Sequence, residues 1–217
     1  MVARALPDAW AMASPADVVA ARLQTVDVAL RRLIPDHIGT PAEAEAAELA
    51  RAATDTTALA GRPLFAALRS LPWPAEPHLA LWHACTMLRE HRGDGHVAAL
   101  TAAGLDGCEA HVTLTATGAV PRDTLQSNRK WSDDDWAAAE ERLRTRGLLD
   151  ASGALTDAGR ALRAEVESRT DALAEGPWLA LGSERTGRLL ELLTPMARAI
   201  NAAGGVPHPN PVGVPAP

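Results

Sequence analysis

Four of the seven histidines, His83, His91, His96 and His111, fall within one third of the chain, in company with Glu90, Asp94 and Glu109. Imidazoles change charge near neutral pH and can bind metals or exchange protons, so their spacing decides what they can do. His83 and His91 are eight residues apart; on one helix that is about 12 Å of rise, too far for both to ligate one ion. The stretch HRGDGH (91–96) is the only local arrangement able to bring two rings together. If Gly93-Asp94-Gly95 is a turn, His91 and His96 face a common pocket, with Asp94 capping the helix that begins at His96. The candidate ligand-binding set is therefore Trp82, Arg89, His91, Asp94 and His96, and His91 and His96 are the candidate metal ligands. The spacing matches no specific zinc motif, and no cofactor is implied. Nucleophilic catalysis has less support still: no GxSxG is present, and neither Cys85 nor Cys108 has a base close by in sequence.

The elements that must position these residues are helical. Tyr is absent and Phe occurs once among 217 residues, so the aromatic residues that favour sheets are scarce, and alanine dominates the apolar 47%. Ser14-Pro15-Ala16-Asp17 opens a helix whose stripe Val19, Leu23, Val26, Leu30, Leu33 alternates steps of four and three, a seam fit for internal packing or for a dimer. TPAE (40–43) starts a second, Ala-rich helix. A short helix around LFAALR precedes the Pro-rich loop LPWPAEP, and HLALWHACTMLREHR resumes helix until Gly93. Pro195 is expected to bend or interrupt the last helix, 183–200. The tail from Gly204, with five prolines in fourteen residues, is expected to be extended and draped over the protein.

The formal charge is −6, from 21 Lys and Arg against 27 Asp and Glu, which opposes a polyanionic partner unless a basic face is segregated. No signal peptide or long apolar span is evident, and two cysteines suit a reducing cytoplasm.

Downstream, HVAALTAAGLDGCEAHV has the helix, turn, helix spacing of a DNA-binding unit. WSDDDWAAAEERLRTRGLL then gives a Ser132-capped helix ending at Gly147, followed by two tiny strands (148–150 and 154–156) and a Thr156-capped helix. RLRTRGLLDASGALTDAGRALRAEVE resembles the recognition helix, wing and following helix of MarR-like winged-helix proteins. More broadly, RALPDAW (4–10), GRPLFAALRSLPWP (61–74), LWHACTMLREHRGDGHVAALTAAGLDG (81–107), WSDDDW (131–136) and GGVPHPNPVG (204–213) resemble the SalK-like family of actinobacterial helix-turn-helix proteins. That resemblance implies a helix-turn-helix fold and leaves the activity undefined. It also implies that family members carry more sequence before RALPDAW, so this N-terminus reads as shortened.

Taken together, the expectations are a mainly α protein containing a winged helix-turn-helix with a very short two-stranded wing. An N-terminal helical region spans 1–76, the winged-helix-like region 77–176, a C-terminal helix 177–203 and the tail 204–217. Small-molecule recognition, with a ligand-responsive regulator as the form it would take, ranks above a His- or metal-dependent enzyme of specialised metabolism. DNA contact would fall to Arg129, Lys130, Arg142, Arg144 and Arg146, and is disfavoured by the acidic residues among them, above all Asp133 to Asp135 at the start of the recognition helix. No membrane association is expected; a homodimer is.

Overall fold

The computed structural model describes residues 8–55, 57–213 and 217. Residues 4–7 of RALPDAW, the start of the 1–76 region and residues 214–216 of the tail lie outside the described residues.

The described chain is mainly helical. Its elements are α1 (Ala9–Met12), α2 (Pro15–Leu33), a 3-10 turn (Pro35–His37), α3 (Pro41–Asp55), α4 (Pro63–Arg69), α5 (Pro77–Ala102), α6 (Gly107–Thr115), α7 (Arg122–Arg129), α8 (Asp133–Thr145), α9 (Asp157–Ala174), α10 (Gly176–Leu181) and α11 (Ser183–Ala202). Local chemistry explains most of the starts. Ser14 with Asp17, Asp106 with Glu109, and Ser132 with Asp135 each form a reciprocal capping box, and Thr156 caps α9 through the Gly159 N–H. Each box satisfies backbone donors that the first turn leaves unpaired.

Helix α5 organises the molecule. It packs against α3, α4 and α9, and its two halves enter different apolar clusters. Leu81 and Ala84 meet Ala46, Ala50 and Ala53 of α3 and Leu189, Leu192 and Met196 of α11. Near its other end, Ala99 joins Val112, Leu125, Trp136, Leu143 and Val166 in the cluster under α6 to α9. Alanine on α3 allows the two helix axes to approach closely.

This continuity corrects one expectation. Gly93-Asp94-Gly95 is not a turn between helices; α5 runs through it without a break. Two glycines inside a helix cost about 1 kcal/mol each against alanine, but at Gly95 the missing Cβ is used. A Cβ there would overlap the Arg62 guanidinium and come within 3.1 Å of Leu173 Cβ. Arg62 fills that space and donates to the His91 carbonyl at 2.5 Å and the Leu173 carbonyl at 2.6 Å, tying the loop before α4 to α5 and α9.

The expected two-stranded wing is also corrected. Among the described residues there is no strand: the segment holds a single antiparallel bridge between Leu149 and Leu155. The Asp150 carboxylate accepts from the Ser152 and Ala154 N–H groups at 2.8 and 3.0 Å, so its side chain closes a tight turn where a longer ladder would run. The same segment explains Gly159. A Cβ there would overlap the Leu148 carbonyl oxygen, so only glycine lets α9 begin this close to the bridge.

α11 continues to Ala202 with Pro195 inside it, so the proline does not interrupt the helix. The tail lies back on the protein. Asn210 is buried, and a Cβ on Gly213 would come within 3.0 Å of Val120.

Candidate functional site

α2, α3, α5 and α11 enclose a cleft of about 300 Å³ with almost wholly apolar walls. Leu30 and Ile34 form one side, Leu81, Trp82 and Cys85 the floor, and Leu193, Met196, Ala197 and Ile200 the other side. That volume is at the lower end of the range for small-molecule sites. His78, Trp82 and Cys85 reach it from consecutive turns of α5, at the spacing that places residues on one helical face. Trp82 is held from behind by the Arg22 guanidinium, 4.5 Å from the ring centroid.

Two polar residues border this cleft, Glu43 and His78, and both are buried, with almost no polar surface turned into it. Glu43 sits in the first turn of α3. One carboxylate oxygen, Oε2, accepts the Gly39 N–H at 2.7 Å, while the Thr40 hydroxyl accepts the Glu43 N–H at 3.2 Å, which fixes the side chain against the helix start. The other oxygen, Oε1, is buried with no hydrogen-bond partner. His78 Nε2 lies 2.5 Å from Asp27 Oδ1 of α2, and its Nδ1 lies 4.0 Å from Glu43 Oε1. Asp27 also accepts from Arg31 at 2.8 Å, and the His78 hydrogen bond is the main reason its carboxyl is held below the ordinary aspartate value. Burial pushes the Cys85 thiol up to about 11, so the sulfur in this cleft is a protonated, weakly polar wall.

Of the candidate ligand-binding residues read from the sequence, Trp82 alone borders this cleft. His91 is buried with its ring edge-on to Phe65, centroids 5.3 Å apart, and borders a separate shallow hollow together with Arg89, Pro177 and Trp178. His96 turns towards α9, where its Nδ1 is 2.9 Å from the Thr170 hydroxyl; that hydroxyl donates to the Val166 carbonyl, so the ring nitrogen is the donor to it. The structure therefore does not bring His91 and His96 to one pocket, and neither belongs to a cluster of three or more potential metal ligands among the described residues. Burial is the leading cause that lowers both rings below the ordinary histidine value. Asp94 Oδ2 accepts the Leu64 and Phe65 N–H groups, each at 3.0 Å, so it caps α4. Arg89 is exposed and paired with Glu90.

Glu43, His78 and Asp27 were not legible as a site, because they come from three helices and share no spacing. The one available signal was His78, Trp82 and Cys85 falling on a single face.

In the second cluster, α6 packs against both α7 and α8, which carry most of the basic residues expected at a DNA contact. Its arginines are mostly paired while remaining partly exposed. Arg142 pairs with Asp106 at 2.6 Å and Glu109 at 3.0 Å, Arg144 with Glu140 at 2.9 Å, and Arg146 donates to the Gly104 and Ala103 carbonyls. Arg122 lies over the Trp136 ring and against Asp133. Arg129 and Lys130, at the end of α7, are exposed and carry no ion pair among the described residues. The start of α8 presents Asp133, Asp134 and Asp135.

Among the described residues, a mainly helical scaffold with a half-open apolar cleft beside one core cluster and α6 to α9 around the other defines the class. The chain belongs to a helix-turn-helix family, whose family model matches residues 1–207. No curated protein and no solved structure matches it. Among the described residues no helix is long and apolar enough to cross a membrane.

Proposed function

We propose that this protein is a small-molecule-binding member of its helix-turn-helix family, of the ligand-responsive regulator kind to which the MarR-like resemblance points, with its ligand in the α2, α3, α5 and α11 cleft. The observation that carries this reading is the apolar cleft of about 300 Å³ between four helices, with the buried Glu43 and His78 pair behind its wall. Clefts of this size lined mainly by apolar side chains with a few polar groups are where small molecules bind.

The cleft also has a route to the second cluster. Leu81 and Ala99 lie on the same unbroken α5, about 27 Å apart along its axis at the helical rise. A ligand that wedges α5 away from α11 therefore moves the helix on which the second cluster is built. DNA contact is weak in this reading, because the arginines of α8 are already paired. The α2 seam faces the protein's own body, Leu30 at the cleft and Val19 and Leu23 beside Trp82, so a second copy of the chain is proposed to dock on the exposed side of α2, where Val18 and Val28 stand.

The test is calorimetric titration of the whole protein with bicyclic aromatic compounds. Benzene fills a cavity of about 150 Å³, so a cleft twice that size suits two fused rings. Binding that is lost in Ala197→Trp, which fills the cleft, supports the reading. Binding unchanged by that substitution, or absent throughout the series, overturns it.

A further inference from the structure

We infer that the hydrogen bond between Trp131 and His111 is a proton-operated latch on the turn between α7 and α8, closed while His111 is neutral and opened when its ring takes up a proton. The indole Nε1–H donates to His111 Nδ1 at 3.0 Å. An indole N–H can only donate, and a protonated imidazole carries hydrogen on both nitrogens and accepts nothing. The bond therefore exists in one charge state of the ring. The charged ring has an alternative partner one turn back on α6, the Gly107 carbonyl, which favours the protonated form.

What the latch holds is a turn under tension. Lys130 is the one residue other than glycine with a positive φ among the described residues, at 60°. A side chain disfavours that backbone, which persists only where its surroundings impose it. Two ties impose it here. The Gln126 carbonyl accepts the Trp131 N–H at 3.2 Å, and the indole is pinned against α6, with a ring carbon 3.6 Å from where a Gly107 Cβ would stand. Hollows of about 500 Å³ beside Gln126 and Lys130, and about 290 Å³ beside Gly107 and Asp135, border the ring, so it has room to move once released.

Charge sets when the latch opens. Burial first, then the Arg129 charge at the end of α7 and, less strongly, His96 of α5, hold the His111 ring below the ordinary 6.5. The surrounding carboxylates are committed to other groups: Asp106 and Glu109 of α6 to Arg142, Asp135 of α8 to Ser132, and Asp133 to Arg122 and Gln126. Asp123 and Lys130 are exposed where they border the larger hollow. The latch is closed at neutral pH and opens as the pH falls through the lowered value; once charged, the ring is also repelled by Arg129.

Nuclear magnetic resonance of the nitrogen-15-labelled full chain between pH 7.5 and 5.0 tests this, with the Trp131 indole signal identified by its loss in Trp131→Phe. That signal should move with the same midpoint as the His111 ring. Protection of the Lys130 and Trp131 amides against exchange should fall about fivefold, the weight of one ordinary hydrogen bond, while the helical circular dichroism stays constant. His111→Asn places an acceptor that does not titrate where Nδ1 stood, and should make both readouts independent of pH. An indole signal that stays fixed while His111 titrates, a His111 ring still neutral at pH 5.0, a pH response that survives in His111→Asn, or a change that arrives only with loss of the helical signal would each overturn the latch.

Discussion

Asp94 Oδ2 accepts the backbone N–H of Phe65 at 3.0 Å, across 29 positions of sequence. With the neighbouring Leu64 N–H also at 3.0 Å, the carboxylate serves as the helix cap that Arg62, the residue before Pro63, does not provide through its own side chain. Asp94→Ala should lower stability by about 2 kcal/mol, the sum expected from a lost cap and two stranded donors in a buried place. Asp94→Asn, which retains an acceptor, should lose about half as much by the same measure. Urea denaturation of the pair measures both, and equal midpoints for parent and Asp94→Ala would contradict the assignment.

The Asp94 case shows what sequence reasoning could reach. The residue type was informative and its partner was not. Capping at Ser14, Ser132 and Thr156 is settled within three residues, so spacing reveals it. Asp94 has the same chemistry, but its helix lies elsewhere in the chain, and the flanking glycines suggested a break. What overrides their low helix propensity is tertiary: Arg62 occupies the space a Cβ at Gly95 would need. The wing was legible in position and not in form, because Asp150 captures its own turn. For the cleft, sequence could offer Trp82 and the seam residue Leu30; Glu43 and His78 meet only when α3 and α5 pack.

Acid should weaken the fold well before carboxylates titrate. His83, His91, His96 and His111 all have values lowered from 6.5, with burial as the leading cause in each. Between those lowered folded values and 6.5 the unfolded chain binds more protons than the folded one, so stability rises with pH there. It is complete above about pH 6.5 and declines as the pH falls through the folded values. The carboxyls with lowered values, Asp27 and Asp135 among them, act only below their ordinary 3.8. The urea midpoint at pH 5.5 should be clearly lower than at pH 7.5; an unchanged midpoint would show that these rings are not buried as described.

Binding to duplex DNA should be weak and only mildly dependent on salt. With Arg129 and Lys130 as the uncommitted basic residues of α7 and α8, the slope of log K against log salt should not exceed about 2 per protomer. Fluorescence anisotropy with fragments from upstream of the protein's own gene gives both quantities. Submicromolar binding at physiological salt with a steep slope would mean that Arg142 and Arg144 abandon their carboxylate partners for phosphate.

Self-association should run through α2. No residue of that helix is fully buried, and beyond the seam that faces the cleft it exposes Val18 and Val28. Sedimentation equilibrium at micromolar concentration should give a dimer, and Val28→Glu should shift it to monomer without changing the helical signal. A monomeric parent protein would refute this.

The unbroken run of α5 also governs how the molecule comes apart. A helix whose first half is walled by α3 and α11 and whose last turns are walled by α6 to α9 cannot fray from one group without stripping apolar cover from the other. The two clusters are accordingly one cooperative unit. Heat should melt them in a single transition, and the amides of the middle turns of α5 should exchange with solvent only when the whole chain opens.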